Sequence, residues 1–386
     1  MDDKTRLIRA GAVVEPLAST VGPPIQRGST VLMPDAASLY RHDLPTYGRQ
    51  GLAAQAALRD ALAQMEHAAG VALYPSGLAA LTGALLAVLH AGEEILVVDT
   101  IYAPTRRFCD QVLQRYGVAV RYVDPEEPPE RLVESASHKT RLILMESPGS
   151  LTMEMQDMAR VAELARARGI LTACDNTWGA GYLYRPLQHG IDLSIQALTK
   201  YVGGHSDLFM GSAAARDPGL VRKLDDGVLH MGWAVSPDDA YLMLRGLRTL
   251  PARLARQGES GLQVANWLAT QAEVAALYHP AVPGRPGHDL WRRDFTGAAS
   301  LFSFALQPGP DSAVNAFLDA LELFGLGFSW GGFESLAISV APQLKQRRFP
   351  KDYGGPLVRL HIGLEEPADL IEDLRQALTV YAEAIG

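Results

Sequence analysis

Cysteine is scarce in this 386-residue chain, which contains only Cys109 and Cys174. These two are far apart and form no CxxC pattern, so neither a disulfide framework nor a cysteine-ligated zinc site is expected. The histidines show no HExxH or comparable spacing, which argues against a metal hydrolase. No stretch approaches roughly 18 consecutive apolar residues, and the first residues, MDDKTRLIRAG, lack an apolar core. The sequence therefore predicts a cytoplasmic protein without a bound metal.

Positive charge is also in short supply. Lys and Arg number 35 against 43 Asp and Glu, so the formal net charge is −8. Such a field repels nucleic acid and anionic membranes, and the short basic cluster at 345–348 is too small to reverse it. The content of 48% hydrophobic and 20% charged residues is that of an ordinary globular protein. The composition favours an enzyme acting on a small molecule.

Three regions of the chain differ in proline content and hydrophobic periodicity. The chain length predicts two domains or possibly a third. Residues 1–50 show little helical periodicity and are rich in proline, which predicts an extended arm that must dock on another surface. Residues 51–245 alternate strand-like runs with helix-like ones, and this predicts βαβ units around a mostly parallel sheet. Residues 246–386 predict a smaller α+β domain.

Individual apolar and amphipathic segments support these predictions. Between 51 and 245 the predicted strands are GVALYP, EILVVD, TRLILMES, ILTACDN and LSIQALTK, and the predicted helices are SGLAALTGALLAVLHAG and MARVAELARARG. Beyond 246, the helical pattern GLQVANWLATQAEVAALY precedes the strand-like SLFSFAL, LFGLGFSW and LVRLHIG. The predicted fold class is thus α/β in the large domain.

Candidate chemistry lies where predicted strands end, because ligands of open α/β sheets bind there. Ser76 and Gly77 occupy a strand-to-helix turn that suits an anion, although a simple helix N-cap without a bound anion has the same sequence pattern. Asp175 ends a buried strand and needs a partner, or else it forms a turn with Asn176. Lys200 follows the apolar run LSIQAL, where a solvated loop lysine is the common alternative.

The order of these parts is informative. An anion-binding turn, a strand-end carboxylate and a strand-end lysine are what pyridoxal 5'-phosphate requires: a phosphate cradle, a partner for the ring nitrogen and an amine for the aldehyde. Tyr102, just past the strand EILVVD, is placed to stack on the cofactor ring. We therefore expect a pyridoxal-phosphate enzyme.

The motifs also carry a specific resemblance. The chain resembles the Cys/Met-metabolism family of pyridoxal-phosphate enzymes, which have the aspartate-aminotransferase fold (fold type I), and within it the bacterial cystathionine β-lyases. The resemblance covers nearly the whole chain through QRGSTVL, YGRQG, YPSG, ESPGSLTME, DNTWGAG, TKYVGGHSD, RGLRTL, GHDLWRRDFTG, SWGGFESL and RLHIGLEEPADLIEDL. It implies a carbon-sulfur lyase that converts L-cystathionine to homocysteine, pyruvate and ammonia.

The resemblance implies a role for each matching cofactor residue. Lys200 would bind the cofactor covalently and then move protons at the substrate. Asp175 would pair with the ring nitrogen, and Tyr102 would stack on the ring and accept the proton of the substrate amine. The phosphate would be held by the backbone of three residues and by one hydroxyl, which belong to Ser76, Gly77, Leu78 and Thr199.

Other roles concern the substrate and a neighbouring subunit. Arg359 would bind the substrate α-carboxylate, beside Ser329 and Trp330. Tyr47 and Arg49, from the N-terminal arm, would reach the phosphate in a neighbouring subunit. The resemblance therefore implies a homo-oligomer, a homotetramer built from active dimers, with active sites shared between two subunits.

Departures from the wider family bear on the reaction. The chain has Trp330 where many γ-acting members have leucine, and Gly149-Ser150-Leu151-Thr152 where many have Asn-Pro, and both resemble the β-lyase branch. Ala197 replaces a serine that often assists the phosphate, which puts one cofactor contact in doubt. A broad cysteine-conjugate β-lyase, a γ-lyase or γ-synthase, and a non-catalytic regulatory protein remain alternatives.

Overall fold

The computed structural model describes residues 2–10, 13–14, 19–41 and 43–386. Its α-helices are α1 (Asp3–Arg9), α2 (Ala53–Glu66), α3 (Gly77–Val88), α4 (Ala103–Phe108), α5 (Pro129–Glu134), α6 (Met158–Ala167), α7 (Pro218–His230), α8 (Pro237–Leu268), α9 (His288–Asp294), α10 (Asp311–Asp319), α11 (Ala341–Leu344) and α12 (Pro367–Ile385). Its strands are β1 (Val13–Val14), β2 (Ser19–Thr20), β3 (Gly70–Tyr74), β4 (Glu94–Val98), β5 (Ala119–Val123), β6 (Thr140–Glu146), β7 (Leu171–Asp175), β8 (Leu193–Gln196), β9 (Gly211–Ala215), β10 (Val274–Tyr278), β11 (Leu301–Leu306), β12 (Gly325–Leu326), β13 (Leu336–Ser339) and β14 (Leu357–His361).

A seven-stranded sheet forms the larger layer, in the order β3-β9-β8-β7-β6-β4-β5. The strands run parallel except β9, which is antiparallel to both of its neighbours. The middle of β6, from Leu142 to Met145, is fully buried, because helices cover both faces of the sheet. The predicted α/β fold with a mostly parallel sheet is confirmed.

The site is positioned by the carboxyl ends of these strands. Glu146 and Asp175 are the last residues of the adjacent parallel strands β6 and β7. Beyond β8 the chain runs on to Lys200, and the turn between β3 and α3 contains Ser76. Side chains that are far apart in the sequence are therefore collected at one edge of the sheet.

A second, five-stranded sheet has the order β10-β11-β14-β13-β12 and a core of its own. The helical prediction for GLQVANWLATQAEVAALY was wrong in its second half. Helix α8 ends at Leu268, and residues Val274–Tyr278 form β10, which pairs with β11. Gln271 closes the helix by donating to the Trp267 carbonyl. Pairing with β11 thus overrides the helical propensity of this Ala- and Leu-rich segment.

Helix α8 joins the two cores. Leu247 and Leu254 pack in the core of the larger sheet, whereas Val264 and Leu268 pack in the second core. The predicted boundary at residue 246 falls inside this unbroken helix. We keep the division into an arm at 1–50, a large domain at 51–245 and a small domain at 246–386 as a proposal.

The first fifty residues contain a helix that the sequence analysis did not predict. Asp2 caps α1 by accepting a hydrogen bond from the backbone of Lys4, and Arg185 pairs with Asp3 at 2.6 Å. Arg248 on α8 donates to the carbonyls of Ala10 and Val21. The beginning of the chain therefore contacts both the large domain and helix α8 of the same chain.

Candidate active site

A cavity of about 320 Å³ opens at the carboxyl end of the large sheet, next to the second sheet. The structure brings together in its wall all of the predicted site residues except Tyr47 and Arg49. Those in the wall are Ser76, Gly77, Leu78, Tyr102, Asp175, Thr199, Lys200, Ser329, Trp330 and Arg359. Their individual roles stay predictions, and the geometry shows what each can do.

Asp175 is a buried carboxylate at the end of β7. Thr177 donates to Asp175 Oδ1 from its backbone N–H at 3.1 Å and from its hydroxyl at 2.6 Å. Burial raises the pKa of Asp175, while the Thr177 hydrogen bonds and the charge of Lys200 act to lower it. Such a carboxylate suits a protonated ring nitrogen, because an enclosed anion is stabilised by a hydrogen-bonded cation.

Lys200 points into the same cavity. Its Nζ donates to Ser329 Oγ at 2.8 Å and lies 5.4 Å from the centre of the Trp330 ring. Burial, with repulsion from Arg359, lowers the pKa of Lys200 to about 8, against an opposing attraction by Asp175. A substantial fraction of the amine is therefore neutral near physiological pH and can attack an aldehyde or accept a proton.

The loop that carries Ser329 and Trp330 approaches the lysine backbone very closely. Gly331 has a φ of +86°, and a Cβ at this position would lie 2.7 Å from the Lys200 carbonyl carbon. Its N–H donates to His361 Nε2 at 3.0 Å. Glycine is required here both for the positive φ and for the close approach.

The beginning of α3 forms the anion-binding part of the wall. The N–H groups in a first helical turn lack intrahelical acceptors, so those of Gly77 and Leu78 are available to a phosphate. Ser76 Oγ accepts from the Ala79 N–H at 3.1 Å, which leaves its own proton free for donation. A Cβ at Gly77 would lie 2.3 Å from Ala197 Cβ, so only glycine fits. These features fit a phosphate group.

Thr199 is held by a backbone contact of its own. Its hydroxyl donates to the Met210 carbonyl at 3.2 Å and accepts from the Met210 N–H at 3.0 Å. A phosphate that receives the Thr199 proton would therefore have to replace the Met210 carbonyl as acceptor.

Arg359, in the middle of β14, provides a cation with an unused donor. One of its nitrogens, Nη2, donates to the carbonyls of Phe328 and Ser329 at 3.0 and 3.1 Å. Its Nε is buried and lacks a partner among the described residues. Burial lowers the pKa of Arg359 to about 10, which still leaves it charged at neutral pH. An orphaned guanidinium N–H in a cavity wall fits a substrate carboxylate.

Among the cavity-wall residues that the sequence analysis missed are Glu146, Thr177 and Trp178. Glu146 ends the predicted strand TRLILMES just as Asp175 ends ILTACDN, so the signal that found Asp175 would also have found it. The hydrogen bonds from Thr177 to Asp175 belong to the turn after β7, for which the sequence analysis considered only Asn176. The indole N–H of Trp178 donates to the Leu301 carbonyl at 2.9 Å, a contact that only the tertiary structure creates.

Tyr47 and Arg49 lie outside this cavity, beside a separate cleft with Gly28 and Leu52. Tyr47 is 45% exposed, and the Arg49 guanidinium lies 4.9 Å from the centre of its ring. Within a single chain neither residue reaches the cavity wall. Their predicted role therefore requires a neighbouring subunit.

Within residues 2–10, 13–14, 19–41 and 43–386, no helix is both long and apolar enough to cross a membrane. The same described residues contain no group of three or more His, Cys, Asp or Glu side chains arranged to hold a metal ion.

Comparison with known proteins agrees with the residues of the cavity. The family model described as Cys/Met metabolism PLP-dependent enzyme matches residues 4–379. The chain is 45% identical to the cystathionine β-lyase of Bordetella avium, with 86% of this chain and 83% of that protein covered. It is 38% identical to the cystathionine β-lyase of Escherichia coli K12, with 96% of each covered. A cystathionine γ-synthase structure from Xanthomonas oryzae pv. oryzae matches with a TM-score of 0.92, 33% identity and complete coverage of both chains.

The fold and the cavity together define a fold type I enzyme that uses pyridoxal phosphate. More specifically, the chain belongs to the Cys/Met metabolism family of PLP-dependent enzymes. The anion-binding turn, the buried carboxylate, the lysine with a lowered pKa and the orphaned guanidinium N–H fit this cofactor and an amino-acid substrate.

Proposed function

We propose that the protein is a cystathionine β-lyase, which consumes L-cystathionine and water and yields homocysteine, pyruvate and ammonia. The observation that carries the proposal is the placement of Lys200, Asp175 and the unpartnered Nε of Arg359 in the wall of one cavity. Because Arg359 and Lys200 line the same cavity, an amino acid bound through its carboxylate to Arg359 would share that space with the Lys200 amine. The similarity to two cystathionine β-lyases supports this choice of substrate.

Each residue then has a defined task. Bound pyridoxal phosphate withdraws electrons from the α-carbon, and Asp175 keeps the ring nitrogen protonated for this purpose. Lys200, whose amine is positioned by Ser329, would accept the Cα proton of the bound substrate. Arg359 orients the carboxylate so that the Cα–H bond faces the lysine.

Tyr102 follows β4 at the same carboxyl edge of the sheet, with 40% of its surface exposed. Burial, followed by the charge of Asp175, raises the pKa of its phenol, so the group is protonated before substrate enters. We propose stacking on the cofactor ring as its main role. Acceptance of the substrate ammonium proton stays a prediction for the complex.

The position of the Trp330 indole beside Lys200 favours β-elimination over γ-elimination. Its ring contacts Tyr201 edge-on, with the centroids 5.2 Å apart, and lies against Lys200. A γ-elimination requires a second deprotonation, at Cβ, and hence room for a base to reach that carbon. We propose that the indole restricts this room.

The deciding experiment gives purified holoenzyme L-cystathionine and measures free thiol and the keto acid together. Homocysteine with pyruvate is expected. Formation of 2-oxobutyrate would assign γ-elimination, and turnover of many cysteine conjugates with poor use of cystathionine would assign a broad β-lyase. A yellow protein that yields no keto acid from any thioether amino acid would indicate a regulatory protein. The Lys200→Ala variant serves as the inactive control throughout the assay.

We further propose a cytoplasmic homotetramer with active sites shared between two subunits. Leu32 and Tyr40 are 89% and 84% exposed, which is costly for large apolar groups unless another subunit covers them. Light scattering tests the assembly. Mixed oligomers of Lys200→Ala and Arg49→Ala subunits should regain activity that neither variant has alone, and no recovery would place Arg49 outside the partner's site.

A further inference from the structure

Glu146 is a carboxyl group in the cavity wall that the proposed mechanism does not use. Its Oε2 accepts the backbone N–H of Tyr102 at 2.7 Å. Tyr102 is the N-cap residue directly before α4, and its side chain makes no capping hydrogen bond. The Glu146 contact therefore ties the backbone of Tyr102, and with it the start of α4, to the end of β6.

Glu146 also stands directly beside Asp175. The two residues are register partners on the parallel strands β6 and β7, and both side chains line the cavity. Lateral neighbours on parallel strands are only about 4.8 Å apart and point to the same face of the sheet. Two carboxylates so placed repel each other, so one of them holds a proton while the other ionises.

The hydrogen bonds decide which of the two carboxyl groups holds the proton. Asp175 accepts two hydrogen bonds from Thr177 and is attracted by the Lys200 ammonium, all of which favour its ionised form. Glu146 accepts one, from Tyr102. The cation that acts on Glu146, Arg347, already donates to Thr152 and to the carbonyl of Ser150. Burial and the charge of Asp175 raise the pKa of Glu146 well above its usual value.

We propose that Glu146 is a positioning residue that works as a neutral acid: it anchors the Tyr102 backbone and leaves Asp175 as the ionised member of the pair. A neutral anchor holds the stacking ring in place without competing with Asp175 for the ring nitrogen. The inference rests on the roles proposed for Asp175 and Tyr102, and it does not depend on which thioether is cleaved.

The first test measures the proton directly. Infrared spectra of the holoenzyme are compared for the wild type and Glu146→Gln, with Glu163→Gln as the matched control because Glu163 is an exposed carboxylate. The difference spectrum should show loss of one protonated-carboxyl band in Glu146→Gln and none in the control. Loss of an ionised-carboxylate band instead would overturn the proposal, whatever the substrate proves to be.

The second test separates positioning from charge. Because glutamine keeps a neutral acceptor for the Tyr102 N–H, Glu146→Gln should retain kcat/KM within about threefold and leave its pH profile unshifted. Glu146→Ala removes the acceptor, so kcat/KM should fall by about fivefold or more and the cofactor should dissociate more readily. A Glu146→Gln variant as impaired as Glu146→Ala, or an alanine variant equal to the wild type, would overturn the proposal.

Discussion

Replacing Glu66 by glutamine should stabilise the folded protein at neutral and alkaline pH, relative to the wild type, and change its stability little in acid. Glu66 ends α2 and is fully buried. Its carboxyl accepts hydrogen bonds from Ser194 and from Gln196 Nε2, the latter at 2.6 Å. Burial is the largest influence and raises its pKa to about 7, although these hydrogen bonds and the nearby Arg185 oppose the shift.

The magnitude follows from the difference between the folded and unfolded pKa. The folded value of about 7 stands against an ordinary value of 4.5. At about 1.4 kcal/mol for each pKa unit, the buried carboxyl contributes about 3 kcal/mol to stability in its protonated form. Because the folded pKa is raised, this contribution is complete below pH 4.5 and is lost as the pH rises through 7. Glutamine does not titrate, so the Glu66→Gln variant does not lose this stability as the pH rises.

The assay is urea unfolding of the wild type, Glu66→Gln and Asp60→Asn from acid to mildly alkaline pH. Asp60 lies exposed on the same helix and serves as the matched control. The two hydrophobic cores need not unfold in one step, so the variants are compared through the transition of the large domain. A gap between Glu66→Gln and wild type that stays constant with pH would refute the reasoning, as would an equal pH-dependent gap for Asp60→Asn.

Other outcomes follow from the cavity. Lys200→Ala should lower kcat at least about a thousandfold and abolish borohydride trapping of the cofactor, since Lys200 is the only lysine in the cavity wall within the described part of the chain; a pyridoxyl adduct persisting in the variant would contradict this. In the wild-type apoprotein, the rate of cofactor capture should rise with pH to a midpoint near 8, where half of the Lys200 amine is neutral, and a midpoint near the ordinary 10.5 would show that burial does not act on it. Trp330→Leu should raise the ratio of 2-oxobutyrate to pyruvate from L-cystathionine, and an unchanged ratio would exclude the indole as the restriction. Gly331→Ala should destabilise the protein by about 1–2 kcal/mol or more, because alanine disfavours positive φ, and wild-type stability in a melting assay would contradict it.

Much of the large domain could be predicted from the sequence, because its determinants are local. Apolar runs bounded by turn residues located β3, β4, β6, β7 and β8, and a polar side chain at the end of such a run marked Asp175 and Lys200. The same reasoning could have found Glu146. It failed for residues Val274–Tyr278, where an Ala- and Leu-rich segment forms a strand because β11 offers it a partner.

By itself, the sequence determined the alternation of strands and helices, because buried apolar residues recur with the period of each element. That alternation also fixed the sheet edge at which the chemistry would lie. Only the tertiary structure decided which groups meet there. The pairing of Glu146 with Asp175 depends on the register of two strands, and the hydrogen bonds from Arg359 Nη2 to the Phe328 and Ser329 carbonyls depend on a loop of the second sheet. A sequence specifies donors and acceptors one at a time, whereas their partners are set by packing between segments that are distant in the chain.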